Sequence, residues 1–224
     1  VGSADVLEAL GINLAAPTAQ ALKALTEAGV TFLFAPGWHP SLAGLAPLRK
    51  ALGVRTVFNL LGPLVNPLRP DAHVLGVARA DLLDPMADAL RRLGMTRAVV
   101  VHGHGGLDEA TLSGSSELRL LEHGQLRSAV LDPQSLGLTP APAAAIAGGD
   151  LATNTAILKA VLQGHGSTAQ TDVVALNTAL VLWVAGRADS FNSGVDQARS
   201  ALAAGSPWRR LDALRGALAG SAAG

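Results

Sequence analysis

Apolar positions along this 224-residue chain recur with two different periods, and the changes of period mark its elements. Ser3 precedes ADVLEALG and reads as the cap of a short helix that Gly11 ends. A second helix is predicted from Thr18 to Ala28, with Ala21, Leu22 and Leu25 on one face and Gly29 as its stop. The run VTFLFA, at 30–35, is short, apolar and closed by Pro36, so it predicts a buried strand. A helix should follow from about Pro40 to Leu52, with proline in the first turn and Gly53 beyond the end. RTVFNLLGPLVNP, at 55–67, reads as a helix closing in two stiff turns, because proline fixes φ.

The next stretch changes character. HVLGVA (73–78) and RAVVVHG (97–103) read as strands, separated by a helix from Leu82 to Leu93 that Gly94 ends. Strand, helix, strand in that order predicts a parallel pair with a crossover helix. ELRLLEHGQLRSAVL instead places alternating segments on either side of Glu122-His123-Gly124-Gln125, which predicts an antiparallel hairpin. Beyond the loop TPAPAAAIAGGD the pattern is helical, over 151–163, 170–185, 191–204 and 208–218. The predicted class is α/β, a mostly parallel sheet flanked by helices. Ligands of such sheets bind beyond the carboxyl ends of the strands, which directs attention to the loops after Ala35, Ala78 and His102.

Composition narrows the function. Half of the chain is hydrophobic (49%), enough for a sizeable core. Seventeen basic residues balance seventeen acidic ones, so no net field draws the chain to nucleic acid or anionic lipid, and neither is expected as a partner. With no cysteine, disulfides and thiolate metal sites are excluded, which fits a cytoplasmic protein. The apolar run VVALNTALVLWVAG, at 173–186, is interrupted by Asn177 and too short to span a bilayer. The absence of an initiator methionine suggests a sequence that starts within a longer protein.

Three places carry candidate chemistry. In HGHGGLDEATLSG a glycine-rich strand exit leads to adjacent acids, Asp108 and Glu109. Such a pair suits magnesium, which takes few protein carboxylates and completes its shell with water and phosphate oxygens; a solvated acidic turn is the alternative. His102 and His104 have a spacing that zinc could use, but no cysteine or third histidine lies nearby, and a histidine bonded to backbone at the strand end is the alternative. Arg49, ten residues after His39, has the fork that grips a carboxylate, unless it is an ordinary surface arginine beside Lys50.

Five blocks in register resemble one family. GSADVLEALG (2–11), FLFAPGWHP (32–40), RTVFNLLGPLVNP, VVHGHGGLDEATLSG (100–114) and GGDLATN (148–154) together resemble the anthranilate phosphoribosyltransferases of tryptophan synthesis, over the whole chain. The resemblance implies the large α/β domain of the nucleoside phosphorylase and phosphoribosyltransferase type across 1–224, with 39–62 a remnant of a small helical domain whose N-terminal helices are missing. It implies transfer of phosphoribosyl from phosphoribosyl diphosphate to the amine of anthranilate, with release of pyrophosphate, Mg2+ as cofactor and a homodimeric full-length parent. Carried over, Asp108 and Glu109 match the magnesium-binding acids, Ser3 a serine that contacts phosphoribosyl diphosphate, and Arg49 the arginine on the anthranilate carboxylate. His39 and Pro63 match residues that line the anthranilate channel.

The chain also departs from the family. Its GTGGD loop, NxST segment and KHGNR stretch are absent, Thr153-Asn154 stands for Glu-Asn, and Val65 for a common threonine. Without those segments the chain alone is expected to be inactive, because phosphoribosyl transfer rests on positioning and charge stabilisation. A pyrimidine nucleoside phosphorylase and a non-catalytic nucleic-acid-binding paralogue are the competing readings.

Overall fold

A computed structural model describes residues 1–38 and 58–219. In chain order the helices are α1 (Ser3–Ala9), α2 (Thr18–Ala28), α3 (Ala35–Trp38), α4 (Phe58–Leu64), α5 (Leu83–Arg92), α6 (Leu151–Leu162), α7 (Thr168–Val184), α8 (Phe191–Ala203) and α9 (Ser206–Leu218). The strands are β1 (Ala72–Gly76), β2 (Arg97–His102), β3 (Ser116–Glu122) and β4 (Gln125–Leu131). These elements fall into two compact units. The first takes in the described residues of Val1–Gly62, Gly148–His165 and Ala204–Gly224; the second is Pro63–Ala147 with Gly166–Ala203.

The first unit is helical. Its core joins Val6, Leu10, Ile12 and Leu14 to Ala21, Ala24 and Ala28 of α2 and to Leu211, Leu214 and Leu218 of α9. The α2 stripe has the i, i+3, i+7 spacing of one helix face. It differs from the expected face: the small alanines turn inward, while Leu22 and Leu25 stay about 40% exposed. Alanine lets α9 approach closely, and the Gln20 side-chain amide, on α2, donates to the terminal carbonyls of Ala217 (3.0 Å) and Ala219 (2.9 Å). The expected Ser3 cap is also corrected. Gly2 precedes the helix, and its N–H donates to the Asp5 carboxylate at 2.7 Å, so Ser3 lies within the first turn.

The run at 30–35 does not form the expected strand. No ladder partner reaches it among the described residues; Phe32, Phe34 and Trp38 pack against the helical core, and the Thr31 hydroxyl donates to the Ala21 carbonyl at 2.8 Å. An apolar run this short has no period of its own, so what it packs on decides its conformation. The helix expected over 40–52 lies outside the described residues.

The second unit carries the sheet, in the order β1-β2-β3-β4. β1 and β2 are parallel, as the crossover predicts, and α5 connects them. The β2–β3 and β3–β4 pairings are antiparallel, so the sheet is mixed rather than mostly parallel. The hairpin accounts for the difference. Its two-residue turn has His123 at φ 49° and Gly124 at φ 79°, the twist that closes adjacent antiparallel strands. Helices cover both faces. α5 buries Leu83, Met86, Ala87 and Leu90 on one side. On the other, α7 and α8 pack over Val99, Val101, Leu118 and Leu120. With both faces covered, the centre of β2 is buried throughout, which explains its unbroken valines.

Gly194 of α8 sits so near Ala179 of α7 that a β-carbon would stand 2.9 Å from it. An ion pair closes the same helix pair: Arg199 donates from Nε (3.0 Å) and a terminal nitrogen (2.7 Å) to the buried Asp172 carboxylate. The α/β class and the positions of the later helices agree with the sequence within about two residues, the ordinary scatter of helix ends.

Candidate active site

The acid pair leaves the carboxyl end of β2, the end at which the sequence places a ligand site. After His102 the chain turns sharply. Gly103 N–H donates to the Leu107 carbonyl at 2.7 Å, and Gly106 N–H to the Gly103 carbonyl at 3.1 Å. Gly105 and Gly106 both hold positive φ, 78° and 84°, which side chains rarely tolerate.

Asp108 and Glu109 then lie against two glycines. A β-carbon on Gly76, the last residue of β1, would stand 1.7 Å from the Asp108 carbonyl oxygen, and one on Gly103 would stand 2.0 Å from that of Glu109. Only bare backbone permits such approaches. Beyond the pair, Ala110 and Leu112 are buried in the sheet–helix core, and Thr111 is fully enclosed. From α7, the Asn177 side chain pairs with both backbone groups of Ala110: its oxygen accepts from the N–H (3.0 Å) and its amide donates to the carbonyl (2.8 Å). The backbone of the pair is therefore fixed from β1, β2 and α7.

The side chains of the pair are exposed. Among the described residues no hydrogen bond or ion pair occupies either carboxylate, and no group of three or more His, Asp or Glu forms a ready-made metal cage. Two free carboxylates on a rigid loop suit a cation that keeps water and ligand oxygens in most of its shell. The histidines have other work. His102 Nδ1 lies 2.8 Å from the Val77 carbonyl, tying the exits of β1 and β2, and the His104 ring covers Gly114.

The remaining candidates are distributed. Ser3 is exposed in the first turn of α1, in the first unit. Pro63 is exposed in the last turn of α4, on the wall of a cavity of about 600 Å³ in the second unit. Asn66, His73, Leu90 and Thr96 also line that cavity, so it lies at the amino ends of β1 and β2, whereas the acid pair follows their carboxyl ends. His39 and Arg49 lie outside the described residues. In GGDLATN, the first unit repeats the clasp seen at Ala110: Asn154 accepts from Gly149 N–H at 2.7 Å and donates to its carbonyl at 3.2 Å. Asp150 caps α6 by accepting from Thr153 N–H at 2.8 Å, and the Thr153 bonds hold its carboxyl below the usual range.

The profile of the glycosyl transferase family, a/b domain, matches residues 1–207. The chain belongs to this family. Among its relatives is the anthranilate phosphoribosyltransferase of Synechococcus sp. (strain RCC307), 68% identical over 97% of the chain and 63% of the relative. The crystal structure of anthranilate phosphoribosyltransferase from Thermus thermophilus superposes with a TM-score of 0.90 at 44% identity, covering 98% of this chain and 65% of that one. The Saccharomyces cerevisiae enzyme in complex with PRPP and Mg superposes at 0.88 with 27% identity, over 97% of this chain and 62% of that one. The resemblance read from the five sequence blocks is thus borne out. The chain spans a little under two thirds of these relatives' length. Among the described residues no helix is long and apolar enough to cross a membrane.

The sequence reading missed the supports of the loop. Gly103 was visible as part of the glycine-rich strand exit but not its contact with Glu109, while Gly76 and Asn177 carry no charge and no motif of their own and act on residues distant in sequence. Asn177 left one trace, a polar break in the apolar run of α7.

Proposed function

We propose that the chain is part of an anthranilate phosphoribosyltransferase and that Asp108 and Glu109 hold its magnesium ion. One observation carries the reading. The family's acid pair has both carboxylates without a partner among the described residues and its backbone seated against Gly76 and Gly103, at the ligand-binding end of the strands. Magnesium, when bound, neutralises diphosphate charge as it becomes a leaving group.

The remaining assignments follow the family. The amine nitrogen of anthranilate attacks C1 of the ribosyl group, the bond from C1 to the diphosphate oxygen breaks, and the nitrogen gives up a proton. Ser3 contacts the phosphoribosyl diphosphate. Arg49 grips the anthranilate carboxylate through two parallel hydrogen bonds, and His39 and Pro63 line its channel. Segment 39–62 belongs with a small helical domain, and the full-length protein is a cytoplasmic homodimer that binds no nucleic acid.

The test is the loss of anthranilate fluorescence by the full-length protein with phosphoribosyl diphosphate. Magnesium-dependent loss that a chelator stops is the expected result. Phosphorolysis of thymidine or uridine without anthranilate consumption would overturn the reading in favour of a nucleoside phosphorylase.

A further inference from the structure

The proposed metal-binding pair has an unusual mechanical situation. Among the described residues its carboxylates have no hydrogen-bond or ion-pair partner to aim them, so their direction depends on where the backbone is held. Gly76 makes room for the loop, and Gly103 makes room and also bonds the residue before the pair, donating its N–H to the Leu107 carbonyl at 2.7 Å. On the far side of the pair the hold comes from a side chain. Asn177 binds the residue next to Glu109 through both backbone groups, as a neighbouring strand would, and its amide also donates to Val173 on its own helix at 3.0 Å. That second bond fixes the rotamer. Ala110 is 1% exposed, so water cannot replace what Asn177 supplies.

We propose that Asn177 is a positioning residue for Asp108 and Glu109: it sets the direction of the metal-binding carboxylates through Ala110 without touching metal or substrate. The proposal rests on the magnesium reading of the acid pair. Asn177 stands on α7 next to the buried Leu176 and one turn before the buried Leu180, and among the described residues its side chain bonds outside α7 only to the two backbone groups of Ala110. Partners that orient a metal ligand typically change metal affinity or activity about 10- to 100-fold when removed.

The experiment uses the full-length protein with Asn177→Leu, which keeps the branching and the number of heavy atoms and deletes both bonds to Ala110. Expected is a rise of about tenfold or more in the magnesium concentration for half-maximal rate and in KM for phosphoribosyl diphosphate, with KM for anthranilate nearly unchanged. Arg199→Met is the control, because it loosens the same helix through Asp172 and should lower the melting temperature without moving the magnesium dependence. If Asn177→Leu does not fold, Asn177→Ser, which cannot span both groups, is read in the same way. A lowered melting temperature with unchanged magnesium dependence would overturn the proposal. Failure of the underlying reading looks different: the otherwise wild-type Asp108→Asn, Glu109→Gln protein would then keep its full rate, whatever Asn177 does.

Discussion

Gly76 and Asp108, thirty-two positions apart, meet backbone to backbone: a β-carbon on Gly76 would stand 1.7 Å from the Asp108 carbonyl oxygen. The carboxyl end of β1 is thus the floor on which the acidic loop after β2 rests.

Gly76→Ala should therefore disturb both stability and the site. The new methyl meets backbone, which cannot rotate aside, so β1 or the loop must move. Overpacking of this kind costs about 1–3 kcal/mol. Thermal unfolding should show the loss, and kinetics of the full-length variant should show weakened magnesium dependence beyond what lowered stability explains. A variant with wild-type melting temperature and metal response would mean that the loop is not seated on β1.

How much of this was legible beforehand varied with the range of the interactions. The hairpin was readable because the His123-Gly124 turn and its flanking alternation are local. The later helices were readable because their runs, 12 to 17 residues, are too long for strands. VTFLFA was misread as a strand because a short apolar run fits either a sheet or a helical core, and Phe32 and Phe34 chose the latter. Likewise Leu22 and Leu25 looked like the inner face of α2, but close approach by α9 favours the alanines. At the site, the acidic dipeptide was visible and its scaffold was not. Nothing in the local sequence says that Gly76 lies beneath Asp108 or that Asn177 reaches Ala110.

His73 provides a pH signature. Burial in the cavity wall lowers the pKa of its imidazole from the ordinary 6.5. The folded protein therefore prefers the neutral ring, while the unfolded chain takes up a proton as pH falls through that value. Stability contributed by His73 is full above the unfolded value, declines as pH falls below it and stops declining below the folded one. Asp81, Asp84, Asp88 and Asp150 have values lowered from 3.8 by their hydrogen bonds, so they act in a more acidic window. Melting temperatures taken from about pH 8 to about pH 5 should fall on the acid side, and His73→Gln should flatten that fall. An equal fall in the variant would assign the effect elsewhere.

Arg49→Ala in the full-length protein should raise KM for anthranilate and leave KM for phosphoribosyl diphosphate nearly unaltered. A charged, bidentate contact contributes about 1.5–3 kcal/mol, which is roughly a ten- to hundredfold change, and it serves one substrate only. Steady-state kinetics with each substrate varied in turn separates the two. Equal changes in both constants would remove Arg49 from the carboxylate.

The central claim is that Asp108 and Glu109 hold the metal on which phosphoribosyl transfer depends. The most direct measurement is isothermal titration of phosphoribosyl diphosphate into the full-length protein, with and without magnesium, for the wild type and for Asp108→Asn, Glu109→Gln. Both side chains are exposed and without partners among the described residues, so the double substitution should leave the melting temperature unchanged. The predicted result is a magnesium-dependent increase in affinity for the wild type that disappears in the variant, together with loss of anthranilate consumption. The same magnesium-dependent affinity and full turnover in the neutralised protein would contradict the account.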